Sequence, residues 1–569
     1  MVSREKRVIP LLLPIITAIV SAIVLIRILF IVMTAVPGQH DYVNPIVSER
    51  IVRGTIVDKH GTILAIETPY YSCALLLREI GDLTTTAKVI APILSLDAQN
   101  IIEEASRRSI YYLVKRRLSL TEYEQLTAVV KASDLEGVLL EKRYGRSFPQ
   151  HYHGAQVIGF TNTENRGIEG LELAYETYLL PYPEIGKTIS YGAQIATTLD
   201  MDLQYLLDDQ VVTIDRTHYP DSIVGIVMGA KTGEILAATT FPWYDPNSYQ
   251  LSEVEQRQNK VVTSMYEPGS VFKVFSLAAE LQADQADLEE PFYCDGSYTF
   301  TMPNGNETTI QCVSAHGSVE PETMIKYSCN GAVAHWALQT DSEDFRNTLM
   351  DFGFGTAWDA GMPGSIAGLV SEVENWSGRS KATISFGQEI AVTPLQIATA
   401  ATALANDGNV IKPYIIGSIV DQSGGKIMEN QPTIARRNVI KPEVVNRILT
   451  GMELATQEGG TATKAAVSGV RVGAKTGTAQ VADPVTGTYD QDNFMASTLA
   501  LVPIQDPQYI IYIGVLNPKG STIWGSNIAA PAIGSIIADM VRLGRLKSSD
   551  MERVTLGSQD QLPGQDRPD

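Results

Sequence analysis

The segment Tyr266-Glu267-Pro268-Gly269-Ser270-Val271-Phe272-Lys273 sets a hydroxyl and an amine three positions apart, just after a Pro-Gly pair. Pro-Gly fits poorly inside a helix, so a helix is expected to start at about Ser270. The residues that follow, Val271, Phe272, Val274, Phe275, Leu277, Ala278 and Ala279, are apolar on every side. That is the pattern of a buried helix. Positions i and i+3 share a helical face, so Ser270 and Lys273 would meet at its mouth. Burial disfavours an ammonium and lowers its pKa. A neutral lysine can take the serine proton and turn the hydroxyl into a nucleophile. The free N–H groups of a helix start suit the developing oxyanion.

S-x-x-K alone carries little, because it occurs three times in the chain. Ser3/Lys6 lies on a basic flank, and Ser423/Lys426 spans Gly424-Gly425 and reads as a surface turn. Two later elements select Ser270. Ser328-Cys329-Asn330 is the only S-x-N in the chain; on a turn its hydroxyl and amide can face one cleft, although local turn hydrogen bonding is the ordinary use of such residues. Lys475-Thr476-Gly477-Thr478 lies in the strand-like run 470–481. Glycine inside a strand marks a close approach of backbone or ligand, and an ammonium beside two hydroxyls suits a carboxylate. A second Lys-Thr-Gly, at Lys231–Gly233, falls between two β-rich runs and reads as a hairpin turn.

These groups need a scaffold that joins distant segments. Strand-like runs are expected at 222–228, 234–240, 470–481, 494–503 and 508–516, with helices at 271–281, 394–406 and 529–543. Two strands, then helices, then three strands and a helix imply one antiparallel sheet flanked by helices, closed by distant parts of the chain. Before it, residues 37–195 read as a separate mixed α/β domain. It has β-like runs at 53–58 and 62–66 around a turn at Lys59-His60-Gly61, and a helix over 97–118 with Asp97 as its N-cap. The fold class is therefore α/β (α+β). The expected division is an anchor at 1–36, a non-catalytic domain at 37–195, a catalytic domain at 196–546 and a polar, disordered tail at 547–569.

The formal net charge of −20 repels phosphate backbones and argues against a nucleic-acid partner. Four cysteines, Cys73, Cys294, Cys312 and Cys329, form no CxxC pair and show no histidine at metal spacing, so no metal site and no cofactor are expected. Cys294 and Cys312 frame a short polar stretch, and either a disulfide or two ordinary thiols fits them. Arg4, Lys6 and Arg7 precede a charge-free run from Val8 to Ile26. About 20 apolar residues span a bilayer. The run exceeds a signal-peptide core and no clear cleavage site follows, so it reads as an uncleaved anchor with the N-terminus in the cytoplasm. Arg27 would then snorkel to the interface or pair with another membrane protein.

In order and setting, Ser270/Lys273, Ser328/Asn330 and Lys475–Thr478 resemble the three motifs of the class B penicillin-binding proteins, the monofunctional transpeptidases. Further likeness lies in Thr197-Thr198-Leu199-Asp200, in Gly387-Gln388 with Val392–Gln396, and in the non-catalytic segments Arg53-Gly54, Asp58, Gly61 and Gly167, Gly170, Glu172; Lys59 and the stretch 146–149 depart from it. The resemblance implies a pedestal at 37–195 and a transpeptidase domain at 196–546. It implies Ser270 as nucleophile, Lys273 as base, and Ser328 and Asn330 at the cleft with Lys475. Thr476, Gly477 and Thr478 would bind substrate, with the N–H groups of Ser270 and Thr478 as oxyanion donors. The implied reaction is attack on a D-alanyl-D-alanine stem peptide, loss of D-alanine, then aminolysis by a neighbouring stem. Implied partners are peptidoglycan stems, β-lactams, the membrane, a membrane-embedded glycan polymerase and division-complex proteins. Size and motif spelling are most similar to the septal members, with elongation and sporulation members as close rivals; the resemblance implies a single-pass anchor in the cytoplasmic membrane with the catalytic domain outside. A hydrolase using the same acyl-enzyme, and a non-enzymatic scaffold or β-lactam sensor, are the rival readings.

Overall fold

Strand Ser222–Gly229 is buried at every position because it lies inside a five-stranded antiparallel sheet covered on both faces. The strand order is 473–482, 489–502, 509–516, 222–229, 235–241. Side chains alternate across a strand, and the two cores divide accordingly. Ile223 and Val227 pack with Leu207, Val211, Ile533 and Ile536 of helices Met201–His218 and Gly525–Arg542. Val224, Ile226 and Met228 pack on the other side with Val271, Phe275, Leu395 and Ala398. Those last four belong to the segment carrying Ser270 and to helix Pro394–Ala401. The sheet therefore separates a structural face from the face that carries the chemistry.

The computed structural model describes residues 50–182, 188–482 and 489–548, together with positions 22, 25 and 27. Apart from those three positions, the apolar run 8–26 and its basic flank lie outside the described residues, as does the tail beyond Ser548. Among the described residues no helix is long and apolar enough to cross a membrane. Of the described residues, 52–181, 191–482 and 489–548 make one unit, and positions 22, 25, 27, 50, 51, 182 and 188–190 fall in another.

Within the larger unit, strand Gln194–Thr197 pairs in parallel with Ile56–Val57 and antiparallel with Ile416–Val420. One sheet thus runs from the N-terminal segments into the later chain, and the expected 195/196 boundary falls inside a strand. The turn at 59–61 is present, with Asp58 Oδ1 accepting from the N–H groups of His60 (2.8 Å) and Thr62 (2.7 Å). Asp97 caps its helix through Asn100 N–H. The helix expected over 97–118 stops at Ser106, however, and Tyr111–Lys115 is a strand on the edge of Ile63–Leu76. Aromatic and β-branched residues at 111–114 fit a pleated, half-buried edge, and the available partner edge overrides the helical pattern.

Three N-terminal segments meet in a buried charge cluster. Arg53 Nε and Arg146 Nε donate to the two oxygens of Glu172, at 2.6 and 2.5 Å, and all three side chains are shielded from solvent. The arginines also donate to Glu172 O and Gly54 O. Removing one member leaves buried charge without its counter-ion, which costs about 3–5 kcal/mol. A Glu172→Ala chain should lose stability of about that size in equilibrium denaturant unfolding, while an exposed-pair control, Lys426→Ala, should change it by less than about 1 kcal/mol.

Candidate active site

The Pro268-Gly269 turn is wedged between two other segments. Gly269 has φ +55° and donates its N–H to Gly387 O at 2.9 Å. Gly387 has φ +85°, and a Cβ there would stand 2.1 Å from Gly269 O. On the other side, a Cβ on Gly477 would come within 3.1 Å of Pro268 O. Glycine at these positions lets an edge strand and a loop close on the turn that presents Ser270. That turn is a 3-10 segment, Gly269–Phe272, continuing into the α-helix Lys273–Ala283. In 3-10 geometry residues i and i+3 eclipse, which brings Ser270 and Lys273 into line. The expected helix start at Ser270 is therefore present, in a tighter form.

Lys273 is fully buried. Its Nζ donates to Ser328 O (2.5 Å), Asn330 Oδ1 (2.6 Å) and Ser328 Oγ (3.2 Å). Three acceptors meet the three donors of an ammonium. Ser328 ends helix Pro321–Tyr327 in the left-handed conformation, φ +60°, and Cys329 starts helix Asn330–Gln339. This abrupt junction turns the carbonyl and hydroxyl of Ser328 and the amide of Asn330 toward one amine. Lys475, also fully buried, donates to Ser328 Oγ at 2.8 Å and to Thr476 O at 2.8 Å. One hydroxyl thus lies between two amines. Burial pushes Lys273 down to about 8. Burial, and then the neighbouring charge of Lys273, push Lys475 well below the usual lysine range. Both shifts favour fewer than two charges in the site.

Ser270, Ser328, Asn330, Thr476, Gly477 and Thr478 line a cleft of about 450 Å³, with Lys273 and Lys475 beneath its floor. All eight expected positions are brought together. Lys475–Thr478 lie on the outermost strand, Gly473–Ala482, paired on one side only with 489–502. The second Lys-Thr-Gly forms the hairpin turn after strand 222–229, where Lys231 pairs with Asp506 at 2.9 Å. Ser423 bonds Asp421 in an exposed turn.

Sequence reasoning missed Tyr327 and Trp524 in the cleft wall. Trp524 immediately precedes helix Gly525–Arg542, and Gly525 N–H donates to Thr478 Oγ1 at 3.2 Å. Only the pairing of that helix start with the motif strand makes it part of the site. Of the two alternatives for Cys294 and Cys312, the structure has free thiols, as it does for Cys73 and Cys329. The expectation of no histidine at metal spacing needs correction, because His316 gathers with Cys294, Cys312 and Cys329. The Cys312-x-x-x-His316 spacing was the overlooked signal.

A serine at a helix mouth, two buried lysines and a carboxylate-suited edge strand define the class of an active-serine acyl-transfer enzyme. Residues 223–538 match the penicillin binding protein transpeptidase domain and residues 49–188 the penicillin-binding protein dimerisation domain. The chain belongs to the penicillin-binding protein transpeptidase family and is a serine-type transpeptidase of it. It is 28 % identical to stage V sporulation protein D of Bacillus subtilis over 86 % of this chain and 77 % of that one. It is 26 % identical to peptidoglycan D,D-transpeptidase FtsI of Escherichia coli over 86 % and 83 %. The fold is similar to penicillin binding protein 3 of Mycobacterium tuberculosis complexed with aztreonam, with TM-score 0.68 and 22 % identity over 88 % of this chain and 97 % of that one.

The glycine contacts make a prediction. Gly387→Ala must displace Gly269, beside Ser270, and a misplacement near 1 Å costs about 10²-fold in rate. Penicillin acylation by this variant should slow by about that factor, measured by stopped-flow or gel labelling, with the far-ultraviolet circular dichroism unchanged.

Proposed function

We propose that the protein is a peptidoglycan D,D-transpeptidase whose acyl-enzyme forms on Ser270, and that penicillin acylates the same hydroxyl. The single observation that supports the assignment is the buried Lys273 amine, aligned with Ser270 through the 3-10 turn and bonded to Ser328 and Asn330. Ser270 Oγ attacks the carbonyl carbon of the penultimate D-alanine, and its proton passes to neutral Lys273. The oxyanion is held by the N–H groups of Ser270 and Thr478. Ser328, between the two amines, passes a proton to the departing nitrogen. The C–N bond breaks and D-alanine leaves. A neighbouring stem amine then attacks the ester carbonyl, forms the new amide and returns Ser270 to its hydroxyl form. Thr476 and Thr478 hold the terminal carboxylate, with Gly477 keeping the strand close and Lys475 positioning Ser328 from beneath, and Asn330 orients the stem amide.

The same reading places residues 37–195 as pedestal and 196–546 as transpeptidase domain, which the two family matches support. It places the run 8–26 as a single anchor in the cytoplasmic membrane, with the catalytic domain outside. Motif spelling and size favour the division septum as the place of action, beside a membrane-embedded glycan polymerase.

Mass spectrometry after penicillin exposure should show one adduct, on the peptide containing Ser270, and none in Ser270→Ala; labelling of that variant would end the assignment. Because the active lysine is the neutral one, acylation should rise as pH climbs through about 8 and then level off. Lys273→Arg keeps the charge at all accessible pH and should lose at least about 10²-fold in acylation rate without regaining it at high pH.

A further inference from the structure

Three sulfurs and one imidazole converge beside the cleft. Cys294 ends strand Phe292–Cys294, Cys312 follows strand Glu307–Gln311, His316 precedes strand Gly317–Val319, and Cys329 starts helix Asn330–Gln339. One ligand atom from each lies within 4.8 Å of every other. Cys312 Sγ and Cys329 Sγ are 3.7 Å apart, and Cys294 Sγ and His316 Nδ1 are 3.4 Å apart. A tetrahedral zinc with Zn–S near 2.3 Å and Zn–N near 2.05 Å has S···S edges of about 3.8 Å and S···N edges of about 3.6 Å. The two separations lie close to two of its six edges, and the other four are no longer than 4.8 Å. The 3.7 Å between Cys312 and Cys329 is far too long for a disulfide, which needs sulfurs about 2.05 Å apart.

The surroundings are those of a metal-binding thiolate set. Gly331 N–H donates to Cys312 Sγ (3.3 Å) and Ala332 N–H to Cys329 Sγ (3.5 Å). Such donors stabilise sulfur that carries negative charge and fix its orientation. The His316 ring stacks on Tyr327, 7° from parallel. Hairpin pairing of 292–294 with 317–319 holds Cys294 and His316 together. Four protein ligands complete the coordination of a structural zinc, and this donor set favours zinc over magnesium, calcium or manganese.

We propose that Cys294, Cys312, His316 and Cys329 bind one zinc ion, and that this ion fastens the Ser328–Asn330 junction in the shape that Lys273 requires. Cys329 is the middle residue of that junction. Its neighbour Ser328 gives its carbonyl to Lys273 at 2.5 Å. Asn330 donates its Nδ2 to Gln311 O at 2.8 Å, next to Cys312. A metal at this point ties the loop from 294 to 316 to both flanks of Cys329. The metal site stands without the Ser270 assignment; only its effect on acylation rests on it.

The test uses the full chain purified without chelator. Elemental analysis should give one zinc per chain, and Cys294→Ser, which leaves all three motif segments unaltered, should give less than about a tenth of that. Chelator-stripped wild-type protein should take up one equivalent of added zinc, or of cobalt with the strong visible bands of a tetrahedral thiolate complex, and the metal should protect three thiols from alkylation. Stripping should slow penicillin acylation at least about tenfold, and zinc should restore it. Stripped wild type that takes up neither metal, or a Cys312–Cys329 disulfide found by mass spectrometry of untreated protein, would overturn the site. Zinc uptake with unchanged acylation would overturn the coupling while leaving the Ser270 adduct to be judged separately.

Discussion

A lysine amine removed from water has to be met by acceptors held in place, and the rest of this structure follows from that requirement at Lys273. The desolvation of an ammonium costs several kcal/mol. Here it is offset by a carbonyl, an amide and a hydroxyl from residues more than fifty positions away. The offset is incomplete, which brings the amine down to about 8, so that an uncharged fraction able to accept a proton grows as pH rises toward that value. The second buried lysine, Lys475, shares the Ser328 hydroxyl, so the charge state of each amine depends on the other. A surface lysine would be stable and inert as a base; the chemistry comes from the cost of burial.

Meeting that requirement means closing three segments to backbone contact. Gly269, Gly387 and Gly477 do so by lacking a side chain, since a Cβ at any of them would strike a neighbouring segment. The left-handed Ser328 turns one helix into the next within two residues. Behind these contacts the sheet is covered on both faces, one by helices 201–218 and 525–542 and the other by the Ser270 helix and 394–401. The cysteine–histidine cluster grips the same junction from outside. Its loop supplies the carbonyl that orients Asn330. Precision at one amine is thus distributed over a sheet, two glycine crossings and a loop clamp.

Much of this was legible in the residues. The apolar run after Ser270, the i, i+3 placement of Lys273 and the glycine within 473–482 each carry a local reason, and each element formed near its expected bounds. The hairpin at 231–233 separated a decoy Lys-Thr-Gly from the real one by setting alone. Local pattern failed where a partner decided the outcome. Residues 111–115 became a strand because strand 63–76 offered an edge, against their helical continuity with 98–106. Trp524 and Tyr327 joined the cleft only through packing.

The sequence by itself determined the order of the three motifs, the elements that carry them and the family resemblance, because capping, periodicity and glycine placement act over a few residues. Only the tertiary structure decided that Lys273 and Lys475 share one serine, that Arg53, Arg146 and Glu172 form a buried cluster, and that the ligand atoms of three cysteines and a histidine gather within 4.8 Å of one another. The reason is the same in each case. These contacts join side chains brought together by the closing of the sheets and the stacking of helices, and sequence separation holds no record of a distance set that way.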